Sequence, residues 1–130
     1  MDFCQLQKAD LHGANLDGAT FRGSDLSSAN MVTTTARGTN FEDPGGKPVN
    51  MEGANLRGAN LEDANLTGVD LRAAIMRGAI LLNAVLHRAN LAGADLQDAD
   101  LRGSNMQKAN LVGANLKGAV FDIKTVNSRS

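Results

Sequence analysis

A large apolar side chain recurs at every fifth residue along almost the whole chain, from Met1 to Val126. Of the 26 positions in this register, only Ala36 and Gly46 are not Leu, Met, Phe or Val. The other registers are equally regular, and the repeating unit reads A-(N/D)-L-x-G. Self-similarity at a fixed short period is typical of a repeat architecture, in which stacked units share one continuous core.

A period of five fits neither an α-helix nor a long β-strand. The leucines would spiral around every face of a helix and would alternate between the two faces of a strand. A chain that turns once every five residues buries them, because residues two apart in a short extended segment point the same way. Ala and Leu then point inward, Asn or Asp points outward, and Gly occupies the turn. The pattern therefore predicts coils that stack about 4.8 Å apart through backbone hydrogen bonds.

The composition agrees with an aliphatic core and excludes several classes of function. Hydrophobic residues make up 42% of the chain but aromatic residues only 3%, so Ala, Leu and Met must form the interior. A net charge of -1 argues against nucleic-acid binding through a broad basic face. No apolar run reaches membrane-spanning length and no signal peptide precedes the repeats. With Cys4 as the one cysteine, we expect an intracellular, cytoplasmic protein that does not contact a membrane.

The repeat is weakest over residues 32–49. This stretch contains a candidate loop made of Asp43, Pro44, Gly45, Gly46, Lys47 and Pro48, which are turn-forming residues. Because the register resumes unshifted at Met51, either one side of a coil is degenerate around Gly46 or five residues loop out. We favour the degenerate side, since it keeps three phenylalanines on one side of a 20-residue coil: Phe21, Phe41 and Phe121.

Two sets of outward residues are candidate partner surfaces. On adjacent sides of one coil, branched aliphatic residues stand where polar ones are expected: Ile75, Ile80, Leu82 and Val85. They predict an exposed apolar patch that binds a partner protein or a second copy of the chain in a homodimer. Side-by-side packing without any partner is the alternative. In a strict 20-residue coil, four basic residues also align as a stripe: Arg37, Arg57, Arg77 and Lys117. This candidate basic stripe would suit an acidic partner, and a solvated face is the alternative.

We predict two segments, a repeat domain over residues 1–121 and a C-terminal tail or cap over residues 122–130. Ile123 and Val126 of the tail are expected to cover the open edge of the last coil. The repeat is already running at Phe3, so we expect the natural protein to continue upstream. No catalytic or metal-binding constellation emerges: His12 and His87 fall on different sides, and Asp95 and Asp100 occupy the ordinary Asn/Asp register. We therefore predict no enzyme activity and no cofactor.

The sequence resembles the pentapeptide-repeat family in two long runs. Residues 54–71 read ANLRGANLEDANLTGVDL and residues 89–121 read ANLAGADLQDADLRGSNMQKANLVGANLKGAVF. The resemblance covers nearly all of residues 4–121. It implies an all-β fold, a right-handed quadrilateral parallel β-helix with four pentapeptides per coil and with Ala and Leu inside.

A finer resemblance concerns animal BTB-domain proteins of the potassium-channel-tetramerisation-domain group, which end in pentapeptide repeats. The similar segments are residues 40–46, 51–56, 67–72, 101–105 and 118–121, and the break after Phe41 and Glu42 is the most telling of them. The resemblance implies the substrate- or partner-binding repeat domain of a ubiquitin-ligase adaptor, whose partner is a ubiquitination substrate. A cullin would bind only through a BTB domain, which this chain does not contain.

The alternative function is that of a DNA-mimicking pentapeptide-repeat protein that protects a topoisomerase. Such rods resemble this chain in their repeats but are strongly acidic. The near-neutral charge and the candidate basic stripe favour the adaptor interpretation.

Overall fold

A computed structural model describes residues 1–42 and 45–128, of which the side chains of residues 126–128 are not discussed. The polar residue before each apolar centre forms single-residue parallel bridges with its counterparts in the coils before and after it. These bridges define four sides. Side 1 carries Gln5, Asp25, Asn50, Asp70, Asn90 and Asn110; side 2 carries Asp10, Asn30, Asn55, Ile75, Asp95 and Asn115; side 3 carries Asn15, Thr35, Asn60, Ile80, Asp100 and Val120; side 4 carries Thr20, Asn40, Asn65, Val85 and Asn105.

The chain therefore winds through stacked coils that span residues 5–24, 25–49, 50–69, 70–89, 90–109 and 110–121. The backbone hydrogen bonds repeat from coil to coil. The N–H of Leu61 donates to the Ile80 carbonyl of the next coil at 2.7 Å, and the N–H of Asn60 donates to the Thr34 carbonyl of the previous one at 2.9 Å. Each turn is closed locally, as where the N–H of Ala64 donates to the Leu61 carbonyl at 3.0 Å. The prediction of four pentapeptides per coil is thus confirmed by the bridges.

The interior is a single aliphatic column, because the Leu register and the Ala register both point inward. Leu56, Leu61 and Ala59 in the central coils are at most 1% exposed. Thr34 and Thr39 replace Ala and are also buried, and their hydroxyls donate to the carbonyls of Leu11 and Leu16 at 2.8 Å. The few polar groups inside the rod are therefore satisfied, as buried hydroxyls must be.

The register at residues 42–48 corrects the sequence prediction. Asn40 bridges Asn65 and Asp25 bridges Asn50, so the second coil contains 25 residues where the other complete coils contain 20. All four of its sides are bridged to the third coil, which contradicts the degenerate side and favours the five-residue loop. Gly45, Gly46, Lys47 and Pro48 are exposed, while Asp43 and Pro44 of the candidate loop lie outside the described residues. The N–H of Phe41 donates to the Asn65 carbonyl of the next coil at 2.8 Å, as in a coil without a loop. Because the insertion is one pentapeptide long, all later residues keep their five-residue register.

The loop also overturns the prediction that three phenylalanines share one side. Phe21 and Phe41 lie on side 4 in consecutive coils, where their rings stack with centroids 5.4 Å apart. Phe121 follows Val120 and therefore lies on side 3, above Leu101. Counting in twenties fails across the loop because the true separation there is 25 residues.

Over residues 3–38 and 53–118, the second residue after each apolar centre has positive φ, a conformation that suits glycine and strains other residues. Ala73 adopts φ 56° at this position. We expect Ala73→Gly to raise the free energy of unfolding by about 0.5–1 kcal/mol, because relief of strain exceeds the added chain entropy. The adjacent Ala74 is fully buried, so Ala74→Gly should lower stability by about 1–2 kcal/mol. Urea unfolding followed by circular dichroism compares them, and a loss of stability in both variants would contradict the strain argument.

The tail forms one short helix, α1, over Ile123–Ser128. Asp122 caps its start: its carboxylate accepts the N–H of Thr125 at 2.9 Å and the N–H of Gly103 at 2.9 Å. Thr125 is buried, and its hydroxyl donates to the Leu101 carbonyl at 2.6 Å. Ile123 is 79% exposed, so the predicted covering of the edge by this side chain is wrong. The side chain of Val126 lies outside the described part. The contact with the last coils is made by Asp122 and Thr125.

The hydrogen bonds from the N–H groups of Thr125 and Gly103 lower the pKa of Asp122 below its ordinary value. A carboxyl whose pKa is lowered by folding stabilises the folded state at neutral pH, and this contribution disappears as the pH falls through its titration. We therefore expect the amide protons of Gly103 and Thr125 to lose protection only when the pH falls below the ordinary titration range of an Asp carboxyl. Asp122→Ala should remove that protection at neutral pH as well, whereas Asp10→Asn at the other end of the rod should not. Hydrogen exchange measured by NMR provides the comparison, and unchanged exchange in Asp122→Ala would refute the capping role.

Candidate protein-binding surface

The outward Asn and Asp side chains are largely committed to the rod itself. Their carboxamide or carboxylate oxygen accepts the N–H two residues further on, as Asn50 does from Glu52 at 2.9 Å and Asn105 from Gln107 at 3.0 Å. This local hydrogen bond holds the turn and fixes the side chain. The residues left for contacts with a partner are therefore mainly those at the four corners, in the first and second positions after each apolar centre.

The corner of side 2 contains most of the predicted basic stripe. Arg57, Arg77 and Lys117 lie in one column together with Gln97, since the N–H groups of Gly58 and Gly78 donate to the carbonyls of Arg77 and Gln97 at 2.9 Å. The Nε atom of Arg77 lies 2.6 Å from the Asp95 carboxylate, and this hydrogen bond lowers the pKa of Asp95. The stripe therefore exists, but Asp95 neutralises its centre.

Arg37 does not belong to the stripe, which corrects the sequence prediction. It lies at the corner of side 3, because the five-residue loop shifts it by one side relative to Arg57. Its Nη2 lies 2.8 Å from the Asp17 carboxylate, and their hydrogen bonding raises the pKa of Arg37 and lowers that of Asp17. These groups border a shallow depression lined by Asp17, Arg37, Gly38, Glu62 and Asp63. Within this lining the ion pair is between Arg37 and Asp17, and Glu62 lies at the same corner in the next coil.

The four aliphatic candidates lie on three successive sides of the fourth coil. Ile75 is on side 2, Ile80 and Leu82 are on side 3 and at its corner, and Val85 is on side 4. All four are half-buried, and the outward neighbours of Ile75, Ile80 and Val85 in the coils before and after are Asn or Asp. Only Ile80 and Leu82 share a side. A role for the four in binding or self-association stays a prediction.

Sequence reasoning missed a pair of basic residues at the corner of side 4. Arg88 and Lys108 are each the second residue after the apolar centre of their unit, in consecutive coils, and the N–H of Arg88 donates to the Gln107 carbonyl at 3.0 Å. Both side chains are exposed. Neither forms an ion pair among the described residues. The signal that identifies them is a long cationic side chain at a position where the repeat elsewhere prefers glycine.

The described part of the chain offers little that is typical of an enzyme. Within residues 1–42 and 45–128, no three His, Cys, Asp or Glu side chains converge as metal ligands. Cys4 is half-buried, and its thiol lies 3.7 Å from the Asp2 carbonyl. No helix of the described part has the length and apolar character needed to cross a membrane.

The structure is a parallel β-solenoid with a closed apolar interior and polar, ion-paired sides. Its contacts with other molecules must therefore use its outer surface. The chain belongs to the pentapeptide-repeat family: it matches that family, described as pentapeptide repeats, in 8 copies over residues 4–43, 49–83 and 84–122. The gap between the first two matched ranges coincides with the loop. Proteins of this family form right-handed quadrilateral β-helices and are generally non-catalytic.

Several solved structures share the fold. HetL, a pentapeptide repeat protein involved in heterocyst differentiation regulation from the cyanobacterium Nostoc sp. strain PCC 7120, is 31% identical over 88% of this chain with a TM-score of 0.62. This chain spans only 56% of HetL. A pentapeptide repeat protein from the Arabidopsis thaliana thylakoid lumen is 31% identical over 82% of this chain and 70% of its own, with a TM-score of 0.74.

A third structure, of the plasmid-mediated fluoroquinolone resistance protein QnrB1, is 20% identical over 93% of this chain and 72% of its own. Its TM-score is 0.58, and at this identity the likeness concerns the fold alone. No curated protein matches the chain.

Proposed function

We propose that the chain is a non-catalytic protein-binding rod. The observation that carries this proposal is that each register of the repeat has its own structural role. Leu and Ala fill a closed interior, the outward Asn and Asp side chains hold the turns, and only the corners present free side chains at a fixed spacing. A rigid array of this kind binds by surface complementarity, because its interior holds no space for a substrate.

Photo-crosslinking tests this proposal corner by corner. A photoreactive amino acid would replace one exposed residue at each corner in the source cells: Gln107, Val112, Lys117 or Arg102. We expect covalent adducts with another protein from at least one corner. A matched variant carrying the group at buried Leu61 reports adducts from unfolded chains. If all four corners gave no protein adduct above that background, the proposal would be overturned.

The finer proposal is that the rod is the partner-binding repeat domain of a BTB-type ubiquitin-ligase adaptor. Its support is the resemblance around Phe41 and Glu42, where a loop leaves the regular coil. If this is correct, the natural gene encodes a BTB domain upstream, and the full-length product binds a cullin while residues 1–130 alone do not. Purified full-length protein and cullin in size-exclusion chromatography would test it. A gene without a BTB domain would refute it.

Topoisomerase protection by DNA mimicry is the competing function. A DNA mimic needs a long run of negative charge, whereas the corner of side 3 alternates Asp17, Arg37 and Glu62 and the corner of side 2 is basic. We therefore expect the purified protein to leave quinolone inhibition of DNA supercoiling unchanged. Restoration of supercoiling by the protein would reverse this preference.

A further inference from the structure

The corner of side 4 combines long cations with a strained backbone. Arg88 and Lys108 adopt φ 60° and 61°, the left-handed conformation that glycine adopts in most other units. A side chain at such a position costs stability compared with glycine. Eight other non-glycine residues, Lys8 among them, share this conformation, so the strain points to a use of the side chain here only together with the pairing of two cations in consecutive coils.

Arg88 and Lys108 form no ion pair among the described residues, which they share with Lys8, Arg57, Lys117 and Lys124. They are the two such cations that follow each other in one column of consecutive coils. Arg22, Arg37, Arg72, Arg77 and Arg102 all form ion pairs within the described residues. Residues 85–94 and 105–114, which form the side-4 corner and the start of side 1 in the upper coils, contain no Asp or Glu. The nearest carboxylate along side 1, Asp70, is held by Arg72 at 2.7 Å. The acidic residues of the fifth coil, Asp95, Asp98 and Asp100, lie on sides 2 and 3, where Asp95 and Asp100 pair with Arg77 and Arg102.

We propose that Arg88 and Lys108, with half-buried Val85 beside them on side 4, bind a short acidic segment of a partner protein. The two cations are one coil apart, about 4.8 Å. Carboxylates two residues apart in an extended peptide lie on one face about 7 Å apart, a span that two long, exposed side chains reach. This inference rests on the proposed protein-binding function and names the chemistry of the partner.

An acidic protein segment fits the surface better than the other polyanions do. Nucleic acid is bound through many phosphates by an extended basic face, and an anionic membrane surface attracts clusters of about four to eight Lys or Arg. Here two unpaired cations are flanked by the neutral side chains of Asn65, Asn105 and Asn90, and the chain as a whole carries a charge of -1. The site therefore suits a partner with a few carboxylates.

The glycine variants separate binding from folding. A fluorescein-labelled deca-glutamate peptide is the probe, with anisotropy read at low ionic strength, where exposed charges are least screened. We expect the double variant Arg88→Gly and Lys108→Gly to bind at least about tenfold more weakly, which corresponds to about 1.4 kcal/mol, and to melt at a higher temperature than wild type. The control double variant Lys8→Gly and Arg57→Gln removes the same charge from other corners, and it should bind within about twofold of wild type.

Each other outcome overturns the proposal. Equal weakening in both double variants would show that binding depends only on net charge. Equally tight binding of deca-thymidylate or of phosphatidylserine vesicles would assign the corner to another polyanion. The photo-crosslinking experiment distinguishes failure of this site from failure of the protein-binding rod. If adducts form from Val112, Lys117 or Arg102 but not from Gln107, the acidic-segment site is refuted and the protein-binding rod is supported.

Discussion

Leu56→Asp unfolds the rod. Leu56 is fully buried in the third coil, and its N–H donates to the Ile75 carbonyl of the next coil at 2.7 Å. The substitution removes a buried aliphatic side chain and places a carboxylate where no cation is available. We expect a cost of about 5 kcal/mol or more, which is comparable with the whole stability of a domain of this size.

The effect should spread beyond one coil, because a solenoid coil is stabilised only by its two neighbours. Loss of the third coil disconnects the second from the fourth. The measurement is far-UV circular dichroism, since the chain has no Trp or Tyr to give fluorescence.

Asn55→Asp is the matched control for Leu56→Asp. It introduces the same carboxylate one residue earlier, on the outside of side 2, where an Asp oxygen can still accept the N–H of Arg57 as Asn55 does at 3.2 Å. We expect this variant to keep its spectrum and to change stability by less than about 0.5 kcal/mol. A folded Leu56→Asp protein with native urea resistance would contradict the assignment of this register to the core.

Much of the fold could be predicted from the sequence because one short pattern fixes both the direction of each side chain and the position of each turn. Leu56 and Ala59 point inward and Asn60 points outward, as their registers predict. The loop could not be placed in the same way. An insertion of five residues leaves every later residue in the five-residue register, so the repeat pattern cannot reveal it. The predicted sides of Phe121 and Arg37 were wrong for this reason.

The candidate surface was less predictable because it depends on which residues become neighbours between coils. The ion pair between Arg77 and Asp95 joins residues 18 apart, and the hydrogen bond from Arg37 to Asp17 joins residues 20 apart. The register alone gives such pairs only where no insertion intervenes. Arg88 and Lys108 were overlooked because their significance comes from unpaired charge and positive φ, and neither property is visible in a list of outward residues.

Phe41→Ala tests the buried aromatic pair of side 4. Phe41 is fully buried and stacks on Phe21 at 5.4 Å with an interplanar angle of 14°. Removing the ring leaves a cavity that a rod of hydrogen-bonded coils cannot close, and it also removes the aromatic pair. We expect a loss of about 3–5 kcal/mol in the free energy of unfolding.

Phe121→Ala is the matched comparison, because Phe121 occupies the same position of its repeat unit as Phe41 but lies in the last coil. In the structure it lies on side 3 of the last coil and is 37% exposed. The substitution should therefore cost no more than about 1–2 kcal/mol. Urea titrations of Phe41→Ala, Phe121→Ala and the double variant give all three values, and the two losses should add because the sites share no contact. A loss for Phe121→Ala as large as that for Phe41→Ala would contradict the placement of this ring at the exposed end of the rod.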